Sequence, residues 1–152
     1  RTRGGEVVFA CGGGSTTSAA EAAAKVDGKV IGVDVDQAGI IDQYGEGMTV
    51  TSAMKGLTPT TKHILEEIIL NDNWDAYAGK IETLGLVSED PEANYVQLPL
   101  ESTQWDDNFT QDKYKELVAA MYNGEITVSN DTSVEPAANA TVITVNPYGN
   151  IK

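Results

Sequence analysis

VVFACGGGSTTSAAEAAAKVDGKVIGVD, residues 7–34, decides the fold class. Its first five residues form a continuous apolar run, rich in β-branched and aromatic side chains, that ends at Gly12, Gly13 and Gly14. That pattern is a buried strand entering a tight loop. Ser18, Ala19, Ala20 and Glu21 then have the spacing of a capping box, and the alanine-rich stretch to Lys25 strongly favours helix. Asp27 and Gly28 stop that helix, and KVIGVD (29–34) follows as a second apolar strand. Two strands joined through a helix run parallel with a right-handed crossover, which predicts an α/β protein.

The same alternation continues outward. Residues 48–51 read as a third strand, with Thr58 as N-cap and Pro59 as first residue of the next helix, whose apolar stripe is Ile64, Leu65, Ile68 and Ile69. Two short strands, 80–84 and 95–98, flank the turn-rich segment SEDPEAN (88–94). Thr110 caps a last helix with Tyr114, Leu117, Val118, Met121 and Tyr122 on one face, and Gly124 ends it. Brief β-like runs follow at 126–128 and 141–145. The expectation is a three-layer α/β/α domain with a mostly parallel sheet over residues 1–128, then a linker and terminal strand over 129–152. Because only about six residues precede the first strand, the chain reads as a fragment of something larger.

Composition narrows the partners. The 152 residues carry 23 acidic and 10 basic side chains, a formal charge of −13, which opposes binding to nucleic acid and to anionic lipid surfaces, since both require neutralised phosphate. The single cysteine, Cys11, excludes an internal disulfide; its apolar surroundings make it read as a small buried hydrophobe. A hydrophobic content of 41% suffices for one core.

In an open parallel sheet, ligands bind beyond the carboxyl ends of the strands, so the loops at 12–15, 34–37 and 52–55 should converge. Gly12 and Gly13 either let backbone amides approach a ligand or simply make a tight turn. Asp34 and Asp36 lie two apart, and Asp34, still on the strand, is the better candidate for gripping neighbouring hydroxyls, because an ionised carboxylate only accepts hydrogen bonds. Asp36 reads as shaping the turn. Lys55, after the third strand, either pairs with Asp34 or donates to a ligand oxygen.

Several chemistries fail on inspection. Gly12 and Asp34 have the spacing of a dinucleotide-binding fingerprint, but the third glycine is replaced by Thr17, and no Gly-Lys-Ser/Thr phosphate loop follows. His63, the only histidine, falls on a helix beside Ile64 and Leu65 and reads as a surface residue, so neither a nucleophile–base pair nor an enzyme is expected. One cysteine and one histidine make no zinc site, and no calcium-loop spacing occurs, so neither a metal nor a cofactor is expected. Trp74 and Trp105 read as packing residues.

Taken in order, ACGGGS (10–15), IGVDVDQ (31–37) and TVTSAMKG (49–56) resemble the C-terminal half of the basic membrane protein family of substrate-binding lipoproteins, over about residues 5–130. The segment ending in GEITV (124–128) is similar to that family's C-terminal region. The resemblance implies one lobe of a type I periplasmic binding protein, the N-terminal lobe being absent from this chain. It also implies a purine nucleoside or related ligand, an ABC permease as partner, and an extracytoplasmic location with membrane attachment only through an N-terminal lipid anchor outside this chain. On that resemblance Gly12 or Gly13 approaches the nucleoside, Asp34 holds ribose hydroxyls and Lys55 reaches a ligand oxygen. The alternatives are a Rossmann-like cofactor-binding domain of an enzyme, with Asp34 on a ribose, and the ligand-sensing lobe of a regulator.

Overall fold

The computed structural model describes residues 4–131, 133–134 and 142–148. It is a mixed α/β fold around an open four-stranded sheet in the order β1-β2-β3-β4. Strand β1 (Val7–Phe9) pairs in parallel with β2 (Lys29–Asp34), and β2 with β3 (Thr49–Lys55), as the strand–helix–strand pattern predicts. The short β4 (Val96–Gln97) closes the far edge antiparallel to β3, with Met54 opposite Gln97.

Helices α1 (Ser15–Ala24) and α2 (Ala38–Ile41) connect the parallel strands, touch each other and pack on the sheet, so they share one of its faces. The buried core lies between them and β2: Ala20 and Ala23 of α1, Val30 of β2, Ile41 of α2, and Met48 just before β3. Small alanines bring α1 close to the sheet, and the branched side chains fill the space between. A second packed region joins α5 (Gln111–Tyr122) to the segment before it. Tyr114 and Val118 are buried, the Tyr114 hydroxyl accepts from Leu98 N at 3.0 Å, and the Trp105 ring stacks 5.6 Å from Tyr114 and 6.0 Å from Phe109.

At α5 the cap and the stop fall where the local pattern predicts. Thr110 Oγ1 accepts from Lys113 N, and Gly124 takes the left-handed conformation at φ +77°. Elsewhere the boundaries move. α1 begins at Ser15 with Gly14 as its N-cap, so Ser18 lies inside the helix and Glu21 pairs instead with Lys25 at 2.9 Å. α3 (Leu57–Leu65) starts after Gly56, not Thr58, which puts Pro59 at its third position. There its missing N–H costs nothing, because the first turn has no intrahelical acceptors.

Four expectations are corrected. The first strand is a three-residue edge strand with every side chain exposed, rather than a buried one. Cys11 is exposed, because it lies past the end of that strand. The 80–84 and 126–128 runs form no strand, and 142–145 forms none either; Thr141 lies outside the described residues. The α3 stripe is not a core face: Leu65 is 50% and Ile69 68% exposed, and the helix continues into a π-helical turn at Glu66–Leu70, followed by the four-residue α4 (Trp74–Tyr77) with Trp74 exposed as well. Trp105 packs as expected, and His63 sits on the surface of α3, 3.1 Å from the Tyr77 hydroxyl.

Candidate functional site

Strand β1 pairs with β2 only as far as Phe9 opposite Ile31, whereas β2 runs on to Asp34 beside β3. The projecting end of β2 closes in a very tight turn. Val35 N donates to Val33 O at 2.9 Å, two residues back, and the residue between them, Asp34, has φ +72°. This is the strained form of the γ-turn, and a non-glycine residue held at positive φ costs on the order of 1–3 kcal/mol unless the surroundings enforce it.

The turn brings three of the four expected site residues together. Lys55 Nζ, at the end of β3, lies 2.7 Å from Asp34 Oδ1. Oδ1 is closed off from water and receives no well-directed hydrogen bond, so the ammonium holds it as an ion pair. On the other side, a Cβ built on Gly13 would stand 4.0 Å from Asp34 Oδ2, so the bare glycine backbone faces the second carboxylate oxygen. Gly12 acts within its own loop, where its carbonyl accepts both the Ser15 amide and the Ser15 hydroxyl and so opens α1. The Asp34 side chain is 35% and the Lys55 side chain 65% exposed, so both are open to a ligand.

The close contact with Asp34, and then that carboxylate's charge, raise the Lys55 ammonium above its usual value of 10.5, and desolvation opposes this. Asp36 is committed to structure, as its turn-shaping reading predicts. Its Oδ1 accepts from Ala38 N at 3.1 Å and its Oδ2 from the Ser102 hydroxyl at 2.8 Å, tying the turn to a distant loop.

Beside Asp34 and Lys55 opens a cleft of ≈ 300 Å³, lined also by Val35, Met54, Glu92 and Gln97. Its outer wall is the 91–97 segment, held against β3 by Gly56 N donating to Tyr95 O at 2.8 Å. Larger hollows of ≈ 490 Å³ along α3 and ≈ 430 Å³ between β1 and α1 have predominantly apolar walls, and one of ≈ 390 Å³ between α3 and α4 is lined by Ile64, Ile68 and Trp74 together with Tyr77, Lys80 and Glu82. Size favours these hollows, but the Asp34–Lys55 ion pair favours the smaller cleft, since specific small-molecule recognition depends on converging polar groups. Among the described residues, no group of three or more His, Cys, Asp or Glu stands close enough to hold a metal ion, and no helix is long and apolar enough to cross a membrane.

Behind Asp34 lies a buried polar cluster absent from the sequence expectations. Gln37 Oε1 accepts from Val33 N at 2.8 Å and from the Thr16 hydroxyl at 2.9 Å, while Gln37 N donates to Ser52 Oγ at 3.1 Å. Thr16, Gln37 and Ser52 are all buried. Gly32 makes room for them, since a Cβ there would meet Ser52 Oγ at 2.6 Å and Gln37 Cβ at 2.9 Å. A lone glycine inside an apolar strand marks such a close approach, and Gly32 is the signal by which the cluster could have been found. No protein-family model matches the chain, and no curated protein matches it either.

Proposed function

We propose that this chain is the ligand-closing lobe of a two-lobed extracytoplasmic solute receptor of an ABC importer, with the three-layer form of a type I periplasmic binding protein. It binds a nucleoside-like or sugar-like ligand and does no chemistry on it. The observation that carries this reading is the convergence of Gly13, Asp34 and Lys55 at one sheet edge. A carboxylate held with one oxygen on a lysine and the other against bare backbone suits a pair of neighbouring hydroxyls, accepting from them while Lys55 donates to a ligand oxygen. The motif order ACGGGS, IGVDVDQ and TVTSAMKG adds the resemblance to the basic membrane protein family.

The shallow cleft supports a mechanism in which a second wall supplies the remaining contacts, so the lobe alone should bind weakly. The test uses the exposed thiol of Cys11, beside the glycine loop, as a reporter. Alkylation of Cys11 is followed with millimolar inosine, guanosine or ribose, alongside amide chemical shifts of residues 33–35. Nucleoside should slow alkylation and move those amides, and Asp34→Asn, which removes the charge yet tolerates the positive φ, should weaken both effects with little change in melting temperature. If no nucleoside or sugar perturbs either signal, the reading fails. Because Asp34 also ends the second parallel strand after a glycine loop, NAD belongs in the same panel, and a response to NAD alone would favour a Rossmann-like cofactor domain.

A further inference from the structure

Past Phe9, β2 has a strand neighbour only on the β3 side among the described residues, and both main-chain groups of Val33 are taken by nearby residues: its N–H by the Gln37 side chain, its C=O by Val35 N. Gln37 thus stands where a neighbouring strand has run out, and the residue it holds comes one position before Asp34 in the γ-turn. Its amide oxygen is shared with Thr16, in the first turn of α1, and its backbone N–H is held by Ser52 on β3. One residue therefore joins the helix that follows the glycine loop, the end of β2 and, through its own backbone, β3. The end of β2 supplies Asp34, β3 supplies Lys55, and α1 follows directly on the loop that holds Gly13.

We infer that Gln37 is the positioning residue of the Asp34 site: it holds the end of β2 in the strained turn that presents the carboxylate, and its hydrogen bond from Thr16 couples that turn to the glycine loop. The ligand part of this inference rests on the solute-binding reading; the structural part does not. Three features require this role. Asp34 sits in a conformation that needs enforcement, the enforcing bonds are buried, and the strand gives up a Cβ at Gly32 to admit the Gln37 side chain. Both bonds to Oε1 ask only for an acceptor, so a carboxylate of the same reach can replace the amide, whereas a thioether of the same length accepts too weakly.

The experiment compares Gln37→Glu, Gln37→Met and Thr16→Val with the wild-type chain. In the first arm, without ligand, NMR couplings that report φ at residue 34 and the amide exchange rate of Val33 are measured. Wild type and Gln37→Glu should keep residue 34 at positive φ, while Gln37→Met releases it and speeds Val33 exchange about tenfold, on the order of one lost hydrogen bond. Thr16→Val should fall between them, and it decides the question if Gln37→Met does not fold. A positive φ and unchanged Val33 exchange in both Gln37→Met and Thr16→Val would overturn the inference, leaving Gln37 as mere filling. In the second arm inosine is titrated: Gln37→Met should lose the shifts at residues 33–35 and Gln37→Glu should retain them. If wild type itself shows no inosine response, the solute-binding reading fails while the first arm still decides the positioning role.

Discussion

Gly32 is where the strand end is least tolerant of change. A methyl group there would meet Ser52 Oγ at 2.6 Å and Gln37 Oε1 at 3.0 Å, groups that are buried and already hydrogen-bonded, so neither can move away freely. Gly32→Ala should lower stability by about 1–3 kcal/mol, as overpacking of a filled interior does, read as a shift in the urea midpoint at unchanged slope. Lys55 behaves differently, being open to solvent. Its pKa is raised on folding, so the stability that the lysine's charge contributes is present in full at neutral pH and is lost as pH rises through the folded value, above 10.5. Around neutrality the lysine therefore keeps its charge. At this scale the sequence placed Asp34 because the apolar run 29–34 stops there, whereas Lys55, expected past a strand ending at residue 51, closes a β3 that runs on to it. The sequence concealed Gln37 and Thr16, whose hydrogen bond spans 21 positions and leaves no periodic trace.

Between the α4 turn and β4, an irregular segment is organised by one side chain. Asn94 is fully buried; its Oδ1 accepts from Val87 N at 2.6 Å and Ser88 N at 2.9 Å, and its Nδ2 donates to Ser88 O and Asp90 O at 3.0 Å each. Asn94→Asp keeps the shape but replaces two donors with an oxygen facing two carbonyls. It should cost about 2–4 kcal/mol, the penalty of buried polar groups left unmatched, seen as an early thermal transition in circular dichroism. The sequence marked residues 88–94 as a turn, yet placed a strand at 80–84 where none exists. Alternating apolar residues report only that a segment could present one greasy side. The same limit explains α3, whose stripe is regular but whose Leu65 and Ile69 remain half or more exposed. The misplaced starts of α1 and α3 have a common cause: Gly14 and Gly56 occupy the N-caps, and the Ser and Thr residues that resemble caps lie a few positions further on.

For the molecule as a whole, charge is the dominant long-range term. With 23 acidic against 10 basic residues, the folded chain repels itself, and salt screens that repulsion over roughly 10 Å at 0.1 M. Raising ionic strength from low to physiological should therefore increase the melting temperature by about 2–4 °C, the equivalent of ~1 kcal/mol for a chain this size. A melting temperature that falls with salt would mean that specific ion pairs, not net charge, govern its stability. The parallel pairing of β1, β2 and β3 was legible because helices separate the apolar runs, and the 95–98 run marked the place of β4 but not its antiparallel direction, which two residues carry no pattern to reveal.

The backbone at position 34 also limits which chemistry can occur there. Few side chains tolerate φ +72°: glycine does so freely, and asparagine, aspartate and histidine more readily than the rest. Of these, glycine offers no side chain to a ligand, and asparagine and neutral histidine each present a donor as well as an acceptor. Only aspartate accepts at both oxygens and also carries the charge that draws Lys55 close. The conformation thus reduces twenty residue types to a handful, and the anion that pairs with Lys55 reduces the handful to one.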